Sequence, residues 1–256
     1  MRLLLLAAAL LAVPALAQDV FISAEEALKL VGKDGVRFIA SDGEKEFEKG
    51  HLPGAVEAFA HDLQYLDDVR ACKGLPMCEA TAFDFIGKQL GVDAATQVVA
   101  YDSGMGVNAS GVWFFLALYG HPNVKILDGG LAAWKARGGK LEEGKGGKVA
   151  PRTYKGEVQW KMIASRADVE AAIKDPSKYL LLDARHKLEE YTGKELLGGM
   201  KGPGKELPVA RGGAIPTAVF SPWTKYAGNK DAEGDKPTLK DQKDLQKQLE
   251  KLKKNG

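Results

Sequence analysis

Cysteine is nearly absent from this sequence: among 256 residues there are only Cys72 and Cys78, in "ACKGLPMC". Five intervening residues make neither the C-x-x-C of a dithiol redox motif nor a zinc-ligand spacing. Histidine is scarce as well. His51, His61, His121 and His186 are scattered, form no metal constellation, and each reads as a surface or capping residue. No charge of one sign dominates: 36 basic residues stand against 34 acidic ones, which leaves no electrostatic footprint for nucleic acid or an anionic membrane surface. Low-complexity tracts are missing, and beyond the N-terminus no apolar run approaches a membrane-spanning length.

Met1-Arg2 is a short basic start, Leu3 to Val13 is an apolar run, and Ala15-Leu16-Ala17 is a small-x-small cleavage site. That order describes a secretory signal peptide over residues 1–17, too short to serve as a span. The mature chain is then expected to begin at Gln18, to be exported to a periplasmic or extracellular space, and to be long enough for two ordinary domains. In that compartment two cysteines close in a loop favour a structural disulfide over a redox or sulfur-handling pair.

The same order of elements occurs twice, on either side of a Gly- and Lys-rich stretch, "KLEEGKGGKVAPRTYKG", that reads as a linker. In the first half "SAEEALKLVG" is an amphipathic helix with Ser23 as N-cap. It is followed by a strand "VRFIASD", a turn "EKGHLPGAV", and alternating helices and strands that end in the helix "LAAWKARGG". In the second half "SRADVEAAIKD" is a helix, "YLLLDAR" a strand, "RGGAIPTAVFSPW" a turn and strand, and "DLQKQLEKLKKNG" a helix with a stripe of Leu245, Leu249 and Leu252. Gly50-His51-Leu52-Pro53-Gly54-Ala55-Val56 aligns with Gly213-Ala214-Ile215-Pro216-Thr217-Ala218-Val219, each after a strand ending in aspartate, Asp42 and Asp183. Strands alternating with helices imply βαβ units and a parallel sheet in each half: two tandem α/β domains of one fold.

The loop in "VVAYDSGMGVNASGVWFF" joins a strand to a helix and invites an anion. Gly104-Met105-Gly106-Val107-Asn108-Ala109 fits the dinucleotide pattern G-x-G-x-x-A, with Asp128 ending a later strand. Against that reading, Asp102-Ser103 separate the glycines from the strand, and the strand is the third of its domain. No Lys-Ser or Lys-Thr follows, which excludes a Walker A loop. No cofactor and no metal is therefore expected.

"GHLPGAV", "VVAYD", "NVKILDGGLAAW", "LLLDAR…EY" and "RGGAIPTAVFSPW", in this order and spacing, resemble the two-domain rhodaneses, the thiosulfate and 3-mercaptopyruvate sulfurtransferases. The resemblance implies two tandem rhodanese-like domains, each a parallel sheet flanked by helices: 18–145, a linker at 146–160, and 161–256. It implies sulfane sulfur moved from thiosulfate or a related small anion to a thiol or cyanide, through a cysteine persulfide in the second-domain loop. The matching first-domain loop is degenerate in that family, and here Asp102, Ser103, Gly104, Met105, Gly106 and Val107 form it. A carboxylate at Asp102 cannot attack sulfur, so this loop is expected to pack against the other domain without reacting. Arg185 matches the family's substrate-binding arginine, whose guanidinium holds an anion with paired hydrogen bonds. A salt bridge to Glu189, Glu190 or a neighbouring acid is the plainer use of it. Arg211, Lys187 and His186 are weaker candidates.

Gly91 precedes Asp102 by eleven residues, and the second-half helix that corresponds runs to Gly256. The nucleophile is thus expected near position 267, on a second domain whose active-loop part lies beyond this sequence. The other expectation is a non-catalytic rhodanese-like module that binds an anion or a protein.

Overall fold

The computed structural model describes residues 20–64, 71–195, 200–202, 205–207, 211–230, 237–239, 247 and 250–252. The signal segment expected over 1–17, and Leu245 and Leu249 of the leucine stripe, lie outside them.

The first half is a five-stranded parallel sheet. Its strands are β1 (Phe21–Ile22), β2 (Val36–Ala40), β3 (Val56–Glu57), β4 (Gln97–Tyr101) and β5 (Val124–Leu127), in the order β1-β5-β4-β2-β3. The central pair β2 and β4 runs in register from Val36↔Gln97 to Ala40↔Tyr101. Alternation along the strands splits the buried side chains between two faces. Ile39, Val98, Ala100 and Ile126 pack with α3 (Glu79–Asp84) and α4 (Val107–Leu118). Phe38, Val99, Tyr101 and Leu127 pack with α1 (Ala24–Leu28), α2 (Glu44–Lys49) and α5 (Gly130–Ala136), around the fully buried Trp134. The result is three layers with the loops after β2 and β4 at one end of the sheet.

Local chemistry fixes the helix starts. Ser23 and Glu26 form a reciprocal capping box at α1, and Ser165 and Asp168 form another at α6 (Arg166–Lys174), each satisfying N–H groups that a helix start leaves unpaired. Cys72 and Cys78 are joined by a disulfide, with Cα atoms 4.7 Å apart. The Tyr119 hydroxyl pins the closed loop by accepting from the Met77 N–H at 3.1 Å and donating to the Met77 carbonyl.

The second half repeats the opening of the first. It contains α6, β6 (Leu182–Asp183), α7 (Leu188–Thr192), the antiparallel pair β7 (Met200–Gly202) and β8 (Lys205–Leu207), β9 (Val219–Phe220), a 3₁₀ turn at Trp223–Lys225, and the antiparallel pair β10 (Ala227–Lys230) and β11 (Pro237–Leu239). β6 pairs with β9 in parallel, Leu182↔Val219 and Asp183↔Phe220, as Ile39↔Val56 and Ala40↔Glu57 pair β2 with β3. The bonds beyond the strands repeat as well. Ala58 N–H donates to Ala40 O and Ala60 N–H to Ser41 O; Ser221 N–H donates to Asp183 O and Trp223 N–H to Ala184 O.

Two features depart from the sequence reading. His51 and His121 are buried, not surface residues. His51 stacks on Phe47 with Nδ1 2.9 Å from the Phe47 carbonyl, and His121 holds the Thr96 carbonyl through Nε2 at 2.9 Å. The Gly- and Lys-rich stretch continues into a strap laid on the first half. Arg152 N–H donates to Gly87 O and Gln159 N–H to Leu118 O, with Tyr154 and Val158 buried in the same core.

Candidate functional site

The loop after β4 is closed on itself. The buried carboxylate of Asp102 accepts N–H bonds from Gly104 (2.9 Å) and Gly106 (3.0 Å) on Oδ1, and from Asn108 (3.1 Å) and Ala109 (3.4 Å) on Oδ2. Left-handed backbone at Gly106 (φ 76°) turns these donors inward at the start of α4. Successive N–H groups facing one point make an anion nest reinforced by the helix dipole. Here the anion is the chain's own side chain, so the glycines of the G-x-G-x-x-A stretch address Asp102 in place of a dinucleotide pyrophosphate.

A second carboxylate grips the same loop from just past β2. Asp42 accepts from Ser103 N–H at 2.5 Å and from the Asn108 side-chain amide at 2.8 Å. Asn108 therefore bridges both acids, Asp102 through its main chain and Asp42 through its side chain. Five N–H groups between Ser103 and Ala109 are committed to the two carboxylates. Behind them, Gly130 (φ 51°) lets α5 approach so closely that a Cβ there would sit 2.3 Å from the Asp102 carbonyl.

The outer side of this loop faces the second half. Phe21, Met105, Val107, Ser110, Trp223 and Tyr226 line a cleft of about 250 Å³ between them. Met105 and Val107 remain nearly half exposed.

Arg185 lies just past β6. The hydrogen-bond register carries Ala40 and Ser41 onto Asp183 and Ala184, and so Asp42 onto Arg185. The sequence pattern pairs Asp42 with Asp183; the register sets them two residues apart, because β2 ends at Ala40 and Asp42 lies beyond it. The guanidinium of Arg185 donates to the Asp183 carboxylate from Nε (2.9 Å) and Nη2 (2.5 Å), to Glu190 O from Nη1 (3.1 Å) and to Gly213 O from Nη2 (2.8 Å). Hydrogen bonding from Arg185 holds the Asp183 carboxyl below the usual carboxylate range. The salt bridge expected to Glu189, Glu190 or a neighbouring acid is made with the neighbouring acid, Asp183, and among the described residues one guanidinium N–H is left uncommitted. Lys187 pairs with Glu195 at 3.2 Å.

A family model for the rhodanese-like domain matches residues 23–137. Those residues are a rhodanese-like domain. The chain is 29% identical over 216 residues to a putative thiosulfate sulfurtransferase of Saccharopolyspora erythraea, covering 84% of this chain and 72% of that protein. It is 30% identical over 198 residues to the 3-mercaptopyruvate sulfurtransferase of Mus musculus, covering 76% of this chain and 62% of the relative. In three dimensions it is similar to SseA of Escherichia coli, a 3-mercaptopyruvate sulfotransferase, with a TM-score of 0.66 at 24% identity, over 89% of this chain and 81% of that one. At that identity the match speaks for the fold: the rhodanese α/β sheet flanked by helices.

Within that domain, the residue that sequence reasoning missed is Asp42. Its signal was present as the acid after β2, but its reach to Ser103 and Asn108 depends on the sheet order that puts β2 beside β4. Cys72 lies in the loop closed against Tyr119, is buried, and is oxidised to the disulfide with Cys78.

Proposed function

We propose that this protein is an exported rhodanese-type sulfurtransferase that takes sulfane sulfur from thiosulfate or a similar small anion and delivers it to a thiol or cyanide. The observation that carries the reading is Arg185. It stands where Asp42 stands in the first half, and there it offers a guanidinium held by Asp183 in place of a lone acid. A guanidinium held by Asp183 is pre-aimed, so little side-chain entropy is lost on meeting a sulfonate or carboxylate.

Sulfur transfer needs a thiolate that attacks the sulfane sulfur while the donor's remaining anion leaves. Both cysteines of the sequence are tied to each other in the first half, so neither serves as the persulfide carrier on this reading. Export is supported by the signal-like start and agrees with the disulfide. The same disulfide favours a second reading, a rhodanese-like module that binds the anion without transferring sulfur.

Calorimetric titration with thiosulfate tests the shared step. Binding to the wild-type chain should weaken at least about tenfold in Arg185→Ala, the loss of one charge-assisted contact. Equal affinity in the two proteins would reject Arg185 as the donor site. Thiocyanate formation from thiosulfate and cyanide separates transferase from binding module.

A further inference from the structure

We propose that the Cys72–Cys78 disulfide is a redox-sensitive latch: while closed it holds, through Tyr119, the strap at 152–163 on the first half, and its reduction loosens that strap.

The disulfide closes a loop that the core grips at one point. Leu75 and Met77 are buried. Both main-chain groups of Met77 are taken by the Tyr119 hydroxyl, which accepts from the N–H at 3.1 Å and donates to the carbonyl. Inside the loop Lys73 has left-handed backbone, φ 59°, a conformation that a residue with a side chain leaves when nothing imposes it. Ring closure imposes it. Opening the S–S bond returns conformational freedom to residues 73–77, and the seating of Met77 on the Tyr119 hydroxyl is no longer set by the ring.

Tyr119 is also where the strap is anchored. Its carbonyl accepts from the Tyr154 hydroxyl at 3.1 Å, and Gly156 lies so close to the same carbonyl that a side chain has no room. One residue earlier, Leu118 O accepts the Gln159 N–H at 2.7 Å. Phe83 sets its ring edge-on to both Tyr119 and Tyr154. One fully buried tyrosine thus holds the disulfide loop with its side chain and the strap with its main chain. A close-packed interior transmits a shift of such a residue instead of absorbing it.

The opening reaction is thiol–disulfide exchange with a dithiol. A thiolate of the reductant attacks Cys78, the half-buried residue of the pair; the S–S bond breaks, and the buried Cys72 leaves as a thiolate that takes up a proton. The second thiol of the reductant then displaces Cys78 from the mixed disulfide. Two cysteine thiols result, and the dithiol ends as a cyclic disulfide.

Hydrogen exchange on the full chain, with and without dithiothreitol, tests the latch at the Gln159 amide. Reduction should accelerate exchange there at least about fivefold more in the wild type than in Tyr119→Phe, the worth of one hydrogen bond. The variant keeps the disulfide but has already lost the hydroxyl that links loop to strap. A stability loss that acts only through the unfolded chain would accelerate both proteins alike, so the comparison removes it. If Tyr119→Phe does not fold, Tyr154→Phe cuts the same relay at its strap end and should show the same reduced sensitivity to dithiothreitol. Equal acceleration in wild type and variant, or none in the wild type once intact mass shows the bridge reduced, would overturn the latch.

Discussion

Replacing Asp102 with alanine should destabilise the protein by about 3–4 kcal/mol, a sum that follows from where its four N–H partners lie. Gly104 and Ala109 are buried, and a buried donor left without an acceptor costs about 1–3 kcal/mol. Gly106 and Asn108 are half-buried, so water takes over part of their bonding, and the 3.4 Å contact from Ala109 is the weakest of the four. Against a total stability of roughly 5–15 kcal/mol this is a large fraction. At about 2–4 °C for each kcal/mol in a chain of this size, melting should fall by roughly 10 °C. Asparagine at the same place is the informative companion. Its carbonyl can serve Gly104 and Gly106 only by turning its own NH₂ toward Asn108 and Ala109, so about half the loss should return. Guanidinium unfolding followed by far-ultraviolet circular dichroism measures all three proteins. A loss below about 1 kcal/mol for alanine would refute the view that Asp102 fills a donor nest.

Thr217 has φ 65° in the turn where its counterpart Gly54 has φ 69°. A left-handed threonine costs about 1–2 kcal/mol and glycine returns part of that as chain entropy, so Thr217→Gly should raise stability by about 0.5–1 kcal/mol and Gly54→Thr should lower it; unchanged denaturation midpoints would count against both. Burial pushes the His121 imidazole below its usual pKa, although the Thr96 and Asn123 main chain and Asp93 oppose the shift. The folded state therefore prefers neutral His121, and its contribution, full above about pH 6.5, is lost as pH falls from there toward the lower folded value. Denaturation between pH 7.5 and 5 should show that decline, and His121→Gln should flatten it. Non-reducing intact mass should be two hydrogens below the reduced form, and reduction should cost about 2–3 kcal/mol by the loop-entropy argument for so short a closure; a mass unchanged by reductant would contradict the bridge.

The tandem pattern was legible because it rests on local chemistry: proline fixes one turn position, the next must be left-handed, and an Ala-Val pair starts a strand. Gly50–Val56 and Gly213–Val219 share those demands, and the structure gives them one register. The equivalence of Asp42 and Asp183 fails because a strand's end is set by its hydrogen-bond ladder and not by the residue type found near it. The burial of His121 depends on the Thr96 carbonyl, 25 residues away in sequence, whereas His51 meets the Phe47 carbonyl of the preceding turn, a capping contact whose burial comes from the stack on Phe47. The nest around Asp102 was half legible. The glycines announced an anion, but which anion depended on backbone angles at Gly104 and Gly106. Composition alone made the stretch before Gly156 look like a linker, yet main-chain bonds and Tyr154 bind it to the first half.

That strap changes the mechanics of the chain. Three glycines let it lie flush: a Cβ at Gly87 would sit 2.4 Å from Arg152 O, one at Gly120 2.4 Å from Glu157 O, and one at Gly156 2.1 Å from Tyr119 O. Met162 and Ile163 continue against the same core, and Ser165 already caps α6. Almost no slack is left between the anchored strap and the first helix of the second half. Any opening between Met105 and Trp223 must turn on a pivot a residue or two long near Ala164, a stiff hinge rather than a tether. A single methyl group at Gly87, Gly120 or Gly156 would pry up the plate on which that hinge is mounted.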